Sequence, residues 1–580
     1  MIWWASQPSR ARSERLAIAD LAEQHGWLTV LTWRLTSEGR LCCDLDIDRL
    51  GKPVPLTLTY PNYFPDMPPQ VTPRDGVRLS DHQYGAGGEL CLEYRTDNWE
   101  PSFTGAMMLE SAFRLLTGEA PTEGETATVA TAHRTTMGQQ VRSAIYRFIV
   151  SEDARKALAA VPILEAQEAE IVEQLSARKW MAFPSRIGGT DTPYWSDTPG
   201  LPDLRTRKGF FVRLPPALRA AVTAEYDVVE ALVEVMKRED ATARLAKSDE
   251  ELIFITESDG LLKLVSVSPG EGNRVIYDYA TVAVPAEQGR LSSEYTRLAK
   301  ASVAIIGCGS VGSKIAASLA RAGVGKFVLV DGDVLFPGNL VRNELDWRGV
   351  GLNKPDALKT RIEEVAVKAD VKVYRIALGG QESSGSTDAA LVAAGKCDVI
   401  IDATADPEIF NLCAAVARND RKPLVWGQVF GGGIGGLIAR LRPDLDPVPH
   451  AARRQISDWC AERGQALPTV GDADVQYGLT LDETSPPLIA DDADVTLIAG
   501  HMTRLALDIL LLEATLFPQS AYAIGLKPGW IFEAPFDTWP ITLVPEGTWG
   551  PVQDEDLSQQ LEAFTAEFFP ETGREPDHEA

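Results

Sequence analysis

The chain has 580 residues, of which 45% are apolar and 24% charged, and this composition predicts a folded protein of roughly three or four domains. Acidic residues outnumber basic ones by 82 to 56, and the formal net charge of −26 argues against nucleic acid as a partner. The seven cysteines form no CxxC pair, and no uncharged apolar stretch reaches the roughly 18 residues of a membrane span. These features predict a cytoplasmic protein with no membrane association.

The first 155 residues carry the pattern of an α+β domain. Apolar residues at helical spacing predict a helix over 13–24, and three runs of strand composition that follow predict an antiparallel meander. The proline-rich stretch 60–69 excludes regular structure, because proline lacks the amide donor and restricts the residue before it. A second helix is predicted at 106–116, and helical periodicity is found again over 138–179.

The pattern of residues 156–288 predicts a linker domain of mixed strands and helix between the two other domains. A strand is expected at 209–214, a helix at 224–240, and a hairpin at 251–267 that turns at Asp259-Gly260. None of these elements carries a catalytic pattern.

From 289 to 550 strands and helices alternate, which is typical of a doubly wound, Rossmann-like parallel sheet with helices on both faces. The predicted strands are 302–307, 327–331, 371–378, 398–402 and 423–430, and the predicted helices are 313–323, 354–369, 407–418 and 495–516. An acidic tail follows at 551–580, and its end beyond 570 is not expected to fold.

A glycine loop, GCGSVG, lies between the first strand and the first helix of this sheet. Gly307 permits the tight turn, Gly309 lets a phosphate approach the backbone, and Gly312 lets the helix pack against the strand. Asp331 ends the next strand, where a carboxylate can accept hydrogen bonds from a ribose. These features alone fit a nicotinamide dehydrogenase as well as an adenylate-forming enzyme.

The residues after Asp331 favour the adenylate-forming enzyme, since phosphate-neutralising groups have little use in hydride transfer. Asp333, Asn339, Arg342 and Lys354 follow within the motifs DxD, NLxRN and GLNK. This run resembles the ubiquitin-activating superfamily of the ThiF/MoeB type over about 290–520. The resemblance implies that ATP is bound, with Asp331 on the ribose, Arg342 and Lys354 on the phosphates, and Asn339 in the phosphate region. Asp333 is a further expected nucleotide-binding residue.

The same resemblance implies a magnesium ligand within a D-x-T-D motif after a later strand. This chain has DATADPE at 402–408, so Asp406 comes one residue later than in the family. Asp402 and Asp406 are both candidates, and Asp406 is the predicted ligand. The family's zinc-binding CxxC pairs are absent, so no structural zinc is predicted, and the acidic stretch 471–483 is expected to be a solvated loop.

Superfamily members that form a thioester have a cysteine in a crossing loop after the glycine-flanked strand, and Cys460 occupies this place. Arg453, Arg454 and Arg463 are expected to lower its pKa and to raise its thiolate fraction. The alternative is an inert helical cysteine, because some relatives transfer the adenylate without one. The remaining cysteines outside Cys91 are predicted to serve packing alone: Cys42, Cys43, Cys308, Cys397 and Cys413.

Cys91 lies in an irregular segment, where a purely structural cysteine has no regular element to occupy. Residues 1–120 resemble the ubiquitin-conjugating fold through these motifs: Tyr60-Pro61, Phe64-Pro65, Pro68-Pro69, His82, Leu90-Cys91-Leu92 and Trp99-x-Pro101. The resemblance implies that Cys91 carries a thioester. The usual His-Pro-Asn is replaced by His82-Gln83-Tyr84, so the oxyanion donor is Gln83, a backbone amide or absent, and His82 is expected to hold the loop.

The two resemblances together imply a relay, in which a protein C-terminus is adenylated, passes through Cys460 to Cys91, and is conjugated to an amine. A bacterial fusion in this domain order resembles the conjugating proteins of CBASS anti-phage operons. Membership would imply a homodimer through the adenylation domain, with the C-terminus of a CD-NTase cyclic-nucleotide synthase as acyl donor. Alternatives are a bacterial ubiquitin-like donor, a sulfur-carrier adenylyltransferase without a relay, and a scaffold with degenerate sites.

Overall fold

The computed structural model describes residues 2–80, 82–84, 87–118, 138, 141–163, 165–197, 204–213, 239, 243, 252–258, 261–268, 275–284, 291–380, 382–467, 490–551 and 557–568. Internal contacts divide the chain into two compact units, Met1–Ser143 and Ala144–Ala580. The first unit thus ends at Ser143, where the sequence pattern suggested a boundary at 155.

The first unit has three helices, of which α2 and α3 pack against an antiparallel sheet of strand order β1-β2-β3-β4, while α1 packs on α2. The helices are α1 (Trp3–Ser6), α2 (Pro8–Gln24) and α3 (Gly105–Gly118), and the strands are β1 (Leu28–Leu35), β2 (Leu41–Arg49), β3 (Lys52–Thr59) and β4 (Gln70–Pro73). A separate two-stranded hairpin is formed by β5 (Gln83–Tyr84) and β6 (Glu89–Leu90). The predicted meander and both predicted helices are confirmed.

A buried carboxylate joins α2, the end of β3 and the start of α3. The Glu14 side chain is fully buried, and its Oε2 accepts hydrogen bonds from Tyr60 Oη at 2.8 Å and from the Gly105 amide at 2.7 Å. Arg10 supplies the counter-charge at 3.1 Å. A Cβ at Gly105 would lie 2.2 Å from Tyr60 Oη, so α3 approaches this closely only because it begins with glycine.

We expect Glu14→Ala to lower the free energy of unfolding of the first unit by about 2–4 kcal/mol, because a buried hydroxyl and a buried amide lose their acceptor. Hydrogen exchange of residues 2–118 under increasing denaturant measures this. Glu23→Ala, on an exposed position of the same helix, is the control and should change stability by less than about 0.5 kcal/mol. Equal losses in the two variants would contradict the assignment.

The second unit begins with a sheet that closes on itself. Its strand order is β10-β9-β7-β14-β13-β12-β11-β8, and β8 also pairs with β9, so seven strands form a ring with β10 outside it. The elements are β7 (Tyr146–Ser151), α4 (Glu152–Leu158), β8 (Ala166–Ser176), β9 (Lys179–Gly188), β10 (Pro193–Ser196), β11 (Arg205–Arg213), β12 (Leu252–Ser258), β13 (Leu261–Ser268) and β14 (Val275–Val284). The predicted strand at 209–214 and the predicted hairpin are confirmed, whereas the turn at Asp259-Gly260 and the helix at 224–240 lie outside the described residues.

The helical prediction for 138–179 is wrong for most of its length, since this range contains β7, the short helix α4 and β8. The reason is pairing across the closed sheet, which overrides the helical propensity of an Ala- and Glu-rich sequence. Glu173 of β8 is almost fully buried, where it accepts a hydrogen bond from Tyr279 Oη at 2.7 Å and pairs with Arg207 at 3.2 Å. These contacts join β8 to two other strands, β11 and β14, as the closed sheet requires.

The rest of the second unit is a doubly wound sheet with strand order β17-β16-β15-β18-β19-β20-β21-β22. Its strands are β15 (Ser302–Ile306), β16 (Lys326–Val330), β17 (Asp370–Tyr374), β18 (Val399–Asp402), β19 (Leu424–Val429), β20 (Gly435–Leu441), β21 (Ala521–Gly525) and β22 (Thr538–Ile541). Its helices are α5 (Ser310–Ala322), α6 (Lys354–Val365), α7 (Ser384–Gly395), α8 (Pro407–Asn419), α9 (Pro449–Ala461), α10 (Asp492–Leu511) and α11 (Leu557–Phe568). The five strands β15 to β19 are parallel, as predicted, and the last three extend the sheet in antiparallel fashion.

Among the described helices, none has the length and apolar character needed to cross a bilayer. The acidic stretch at 471–483 and the end of the chain beyond 570 lie outside the described residues.

Candidate active site

The glycine loop joins β15 to α5 and leaves open space in front of the helix. Gly307 has a φ of +88°, and a Cβ at Gly312 would lie 1.9 Å from the Gly307 carbonyl oxygen, so both positions require glycine. Gly309 caps α5, and a Cβ there would meet nothing within 4 Å. Because the amides of a helix N-terminus attract anions, this opening suits a phosphate group.

Asp331 holds the glycine loop in place from the end of β16. Its Oδ2 accepts a hydrogen bond from the Cys308 amide at 2.7 Å, and its Oδ1 accepts one from the Asp333 amide at 2.8 Å. Burial raises the pKa of Asp331, while these two amides and the nearby Lys354 act in the opposite direction. The carboxylate therefore lies beside the open end of α5, at the place where a ribose acceptor was predicted.

Lys354 lies in the same cluster, since its Nζ is 2.7 Å from Asp333 Oδ2 and its amide donates to the Asp333 carbonyl at 2.8 Å. Arg342 is only 8% exposed, and two residues further along the chain the Glu344 amide donates to Ser313 Oγ of α5 at 3.2 Å. Asn339 is engaged locally, because its Oδ1 accepts the Phe336 amide at 2.9 Å. The structure thus brings Asp331, Asp333 and Lys354 together at the glycine loop and places the Arg342 segment against the first turns of α5.

The two metal candidates differ in what their oxygens do. Asp406 caps α8, where its Oδ1 accepts the Glu408 amide at 2.7 Å, and Ala405, the extra residue of the motif, has a φ of +59°. Asp402 is fully buried, its Oδ1 accepts two hydrogen bonds from Thr404, and burial raises its pKa to about 6.

Asp402 Oδ2 accepts no hydrogen bond from any residue that the structure describes. An orphaned buried carboxylate oxygen has the donor chemistry that magnesium requires, so the 402–406 turn fits this ion. Within the described ranges, no group of three or more His, Cys, Asp or Glu is arranged to hold a metal.

Cys460 is fully buried on α9, and burial raises its pKa to about 11, against the smaller lowering effect of Arg463. The expectation of an arginine-activated thiolate is therefore wrong in this structure. Arg453 lies over the rings of Phe410 and Trp426, and Arg454 pairs with Glu546. The guanidinium groups of Arg453 and Arg454 therefore interact with these partners and not with the Cys460 thiol.

Cys91 is the one cysteine of the seven that is not buried, and all seven lie in the described part of the chain. It directly follows β6, and its amide donates to the His82 carbonyl at 2.7 Å. Leu90 and Leu92 on either side are buried, which fixes the backbone around the cysteine. The packing role predicted for the other five cysteines, apart from Cys460, agrees with their burial.

Gln83 holds the loop before Cys91. Its Oε1 accepts the amides of Leu79 and Ser80, and its Nε2 donates to the Gly88 carbonyl at 2.8 Å. The side-chain amide of Gln83 thus makes its hydrogen bonds within the loop, which weighs against its use as an oxyanion donor. Gln83 therefore stabilises the loop before Cys91, a role that the sequence analysis assigned to His82.

A groove whose walls include Leu90 and Leu92, the two neighbours of Cys91 in the chain, is a feature that sequence reasoning missed. It has a volume of about 250 Å³, and its walls include Tyr84 and Glu89 from the β5–β6 hairpin. No spacing rule indicates this pair, because the two residues face each other only through the register of the hairpin.

We expect N-ethylmaleimide to label native protein at Cys91 first near neutral pH, because the other six thiols are buried and burial raises the pKa of Cys460. Intact mass with peptide mapping follows the label. Cys91→Ala should remove the rapid label, and denaturation should expose all remaining thiols. Rapid native labelling at Cys460 would show that α9 opens readily.

The open glycine loop lies beside Asp331 and Lys354, and this arrangement suits the phosphate and the ribose of a nucleotide. Residues 286–443 match the model of the ThiF family. This segment is a ThiF-type adenylation domain, and the match favours adenylation over hydride transfer.

Two curated relatives extend this finding. The chain is 32% identical over 178 residues to "Adenylyltransferase and sulfurtransferase UBA4" of Eremothecium gossypii, covering 30% of this chain and 38% of that protein. It is 35% identical over 113 residues to "ATP-dependent ubiquitin transferase-like protein Cap2" of Enterobacter hormaechei, covering 20% of this chain and 18% of that protein. The matches thus span well under half the length of either relative, and they support an enzyme of the ubiquitin-activating type.

Among solved structures, E. coli MccB with ATP matches 44% of this chain and 69% of that chain at 16% identity, with a TM-score of 0.33. This structural similarity is too low to support an inference about fold or function.

Proposed function

We propose that the chain activates the C-terminal carboxylate of a protein as an acyl adenylate and conjugates it to an amine through a thioester on Cys91. The observation that carries the first half is the cluster of Asp331, Asp333 and Lys354 at an open helix N-terminus within a ThiF-type segment. The partly exposed Cys91, in a chain whose other cysteines are buried, supports the second half.

In the adenylation step the donor carboxylate attacks the α-phosphate of ATP and expels pyrophosphate. The amides at the start of α5 bind phosphate, Asp331 accepts the ribose hydroxyls, and Arg342 and Lys354 stabilise the negative charge that develops in the transition state. Magnesium, when bound at Asp406 or Asp402, would neutralise phosphate charge.

In the transfer step the acyl group leaves AMP for a cysteine thiolate, and an amine then removes it as an amide. Covalent catalysis divides one difficult condensation into exchange steps. In the relay expected from the sequence, the acyl group passes through Cys460 before it reaches Cys91. Since Cys460 is fully buried, this order requires α9 to leave its packing, and otherwise the adenylate is transferred to Cys91 directly.

The acyl donor is the C-terminus of a companion CD-NTase cyclic-nucleotide synthase in CBASS anti-phage defence, with a bacterial ubiquitin-like protein as the alternative donor. The likeness to a protein named Cap2 supports this choice. The enzyme acts in the cytoplasm as a homodimer through its adenylation domain, on an amine acceptor.

The likeness to UBA4, which is named a sulfurtransferase, favours a second candidate, a sulfur-carrier adenylyltransferase. Its turnover would not need Cys91.

ATP–pyrophosphate exchange tests the activation step. Purified protein is mixed in turn with each protein encoded beside its gene, in intact form and with the last residues removed. Exchange that needs both magnesium and an intact C-terminus supports the proposal. Exchange that is indifferent to the donor C-terminus in every mixture would contradict it.

A further inference from the structure

The hairpin before Cys91 places a phenol and a carboxylate opposite each other. The register of β5 and β6 pairs Tyr84 with Glu89, so both side chains lie on one face of the hairpin. The Tyr84 hydroxyl donates a hydrogen bond to the Glu89 carboxylate. Burial, Glu89 and the nearby Cys91 raise the pKa of Tyr84, so its hydroxyl keeps its proton at neutral pH.

This pair opens onto the groove of about 250 Å³, whose other walls are mainly apolar. Met67, Pro68, Val71 and Leu92 contribute to these walls. Tyr84 is 44% exposed, so the pair lies where solvent and an incoming group have access.

The charges around the groove favour a cation. Arg95, which also lines it, is bound by both carboxylate oxygens of Asp97, at 2.9 and 3.0 Å, so its charge is offset there. Glu89 contributes a carboxylate within the groove, and the net charge of −26 attracts cationic partners.

We propose that this groove is the acceptor site, in which the apolar walls hold the alkyl stem of a lysine side chain and Glu89, positioned by Tyr84, receives its nitrogen. This inference rests on the proposed function, because it needs an acyl group on Cys91. A lysine fits the groove better than the donor tail does, since a C-terminal acyl chain has no positive charge to meet a carboxylate.

The transfer balances as follows. The lysine ammonium first gives one proton to solvent and becomes the free amine, whose nitrogen attacks the thioester carbonyl carbon. A C–N bond forms and the C–S bond breaks. The second amine proton passes to the Glu89 carboxylate and then to the Cys91 thiolate, which leaves an amide and a thiol.

A single-turnover discharge assay tests the site. Cys91 is first loaded with the donor, ATP is then removed, and free lysine or hydroxylamine is added to the thioester. Hydroxylamine is uncharged near neutral pH and has no alkyl stem, so it does not need the groove. Glu93→Gln is the matched control, because Glu93 is a nearby carboxylate that is bound by Arg114.

We expect Glu89→Gln and Tyr84→Phe to load normally, to discharge to lysine about tenfold more slowly or worse, and to discharge to hydroxylamine within about twofold of wild type. Glu93→Gln should behave as wild type. Slower loading, or equal slowing with both nucleophiles, would overturn the assignment and would indicate a donor site or a structural role. If wild type forms no thioester at all, the proposed function itself fails, and this inference fails with it.

Discussion

Replacing Cys91 by alanine is expected to reduce conjugate formation by about 10³-fold or more, while ATP–pyrophosphate exchange stays within about twofold of wild type. The reason is that Cys91 carries the acyl group only after the adenylate has formed. Cys91 lies in the first unit, whereas the glycine loop lies in the second. Quantitative mass spectrometry of the conjugate, alongside the exchange assay, measures both effects on one preparation.

Cys91→Ser is the informative companion variant, because a serine hydroxyl can retain the acyl group as an oxyester that thiol reductant does not release. Cys413→Ala is the control for removal of a buried thiol and should conjugate normally. Full conjugation by Cys91→Ala would remove the thioester from the account and would favour the sulfur-carrier alternative. Loss of exchange in the same variant would instead indicate a folding defect.

Lys354→Ala is expected to reduce ATP–pyrophosphate exchange by about 10²–10³-fold, the loss typical for removing one donor to a transition-state charge. Lys354 begins α6, and its side chain is held 2.7 Å from Asp333 beside the glycine loop. Since the ammonium is already positioned there, its loss removes charge stabilisation with little change in the fold.

Lys359→Ala is the matched control, because this lysine lies on the same helix and its side chain is 41% exposed. Its exchange rate should equal that of wild type. Loading of Cys91 should fall in Lys354→Ala by the same factor as exchange, since both depend on one adenylate. If the two lysine variants have equal exchange rates, Lys354 does not act on the nucleotide.

The adenylation segment was the part of the fold most accessible to prediction, because its structure follows from local patterns. Alternating strands and helices require a parallel sheet, and the glycine loop and Asp331 meet at the carboxyl ends of β15 and β16 in any such sheet. The closed sheet of the middle region was not accessible. Its strand β8 is rich in Ala and Glu, and its strand conformation depends on pairing with β9 and β11 and on the contacts of Glu173 with Arg207 and Tyr279, all of them distant in sequence or on other strands.

The site was predicted less completely, because the sequence around Cys460 did not reveal that this thiol is buried. The arginines near Cys460 suggested activation, but Arg453 packs on aromatic rings and the thiol has no access to solvent. Gln83 holds the Cys91 loop through contacts that its position in the sequence did not reveal. The pairing of Tyr84 with Glu89 likewise depends on a hairpin register.

The central claim is that an ATP-dependent thioester forms on this chain, and intact mass after co-expression tests it most directly. Wild type, Cys91→Ala and Cys460→Ala are each co-expressed with the genes beside their own, and each is weighed with and without thiol reductant. The account predicts that wild type carries a reductant-labile adduct on Cys91 and that the mass of this adduct identifies the donor. In Cys91→Ala the Cys91 adduct is lost. No ATP-dependent adduct on either cysteine, with any neighbour present, would contradict it.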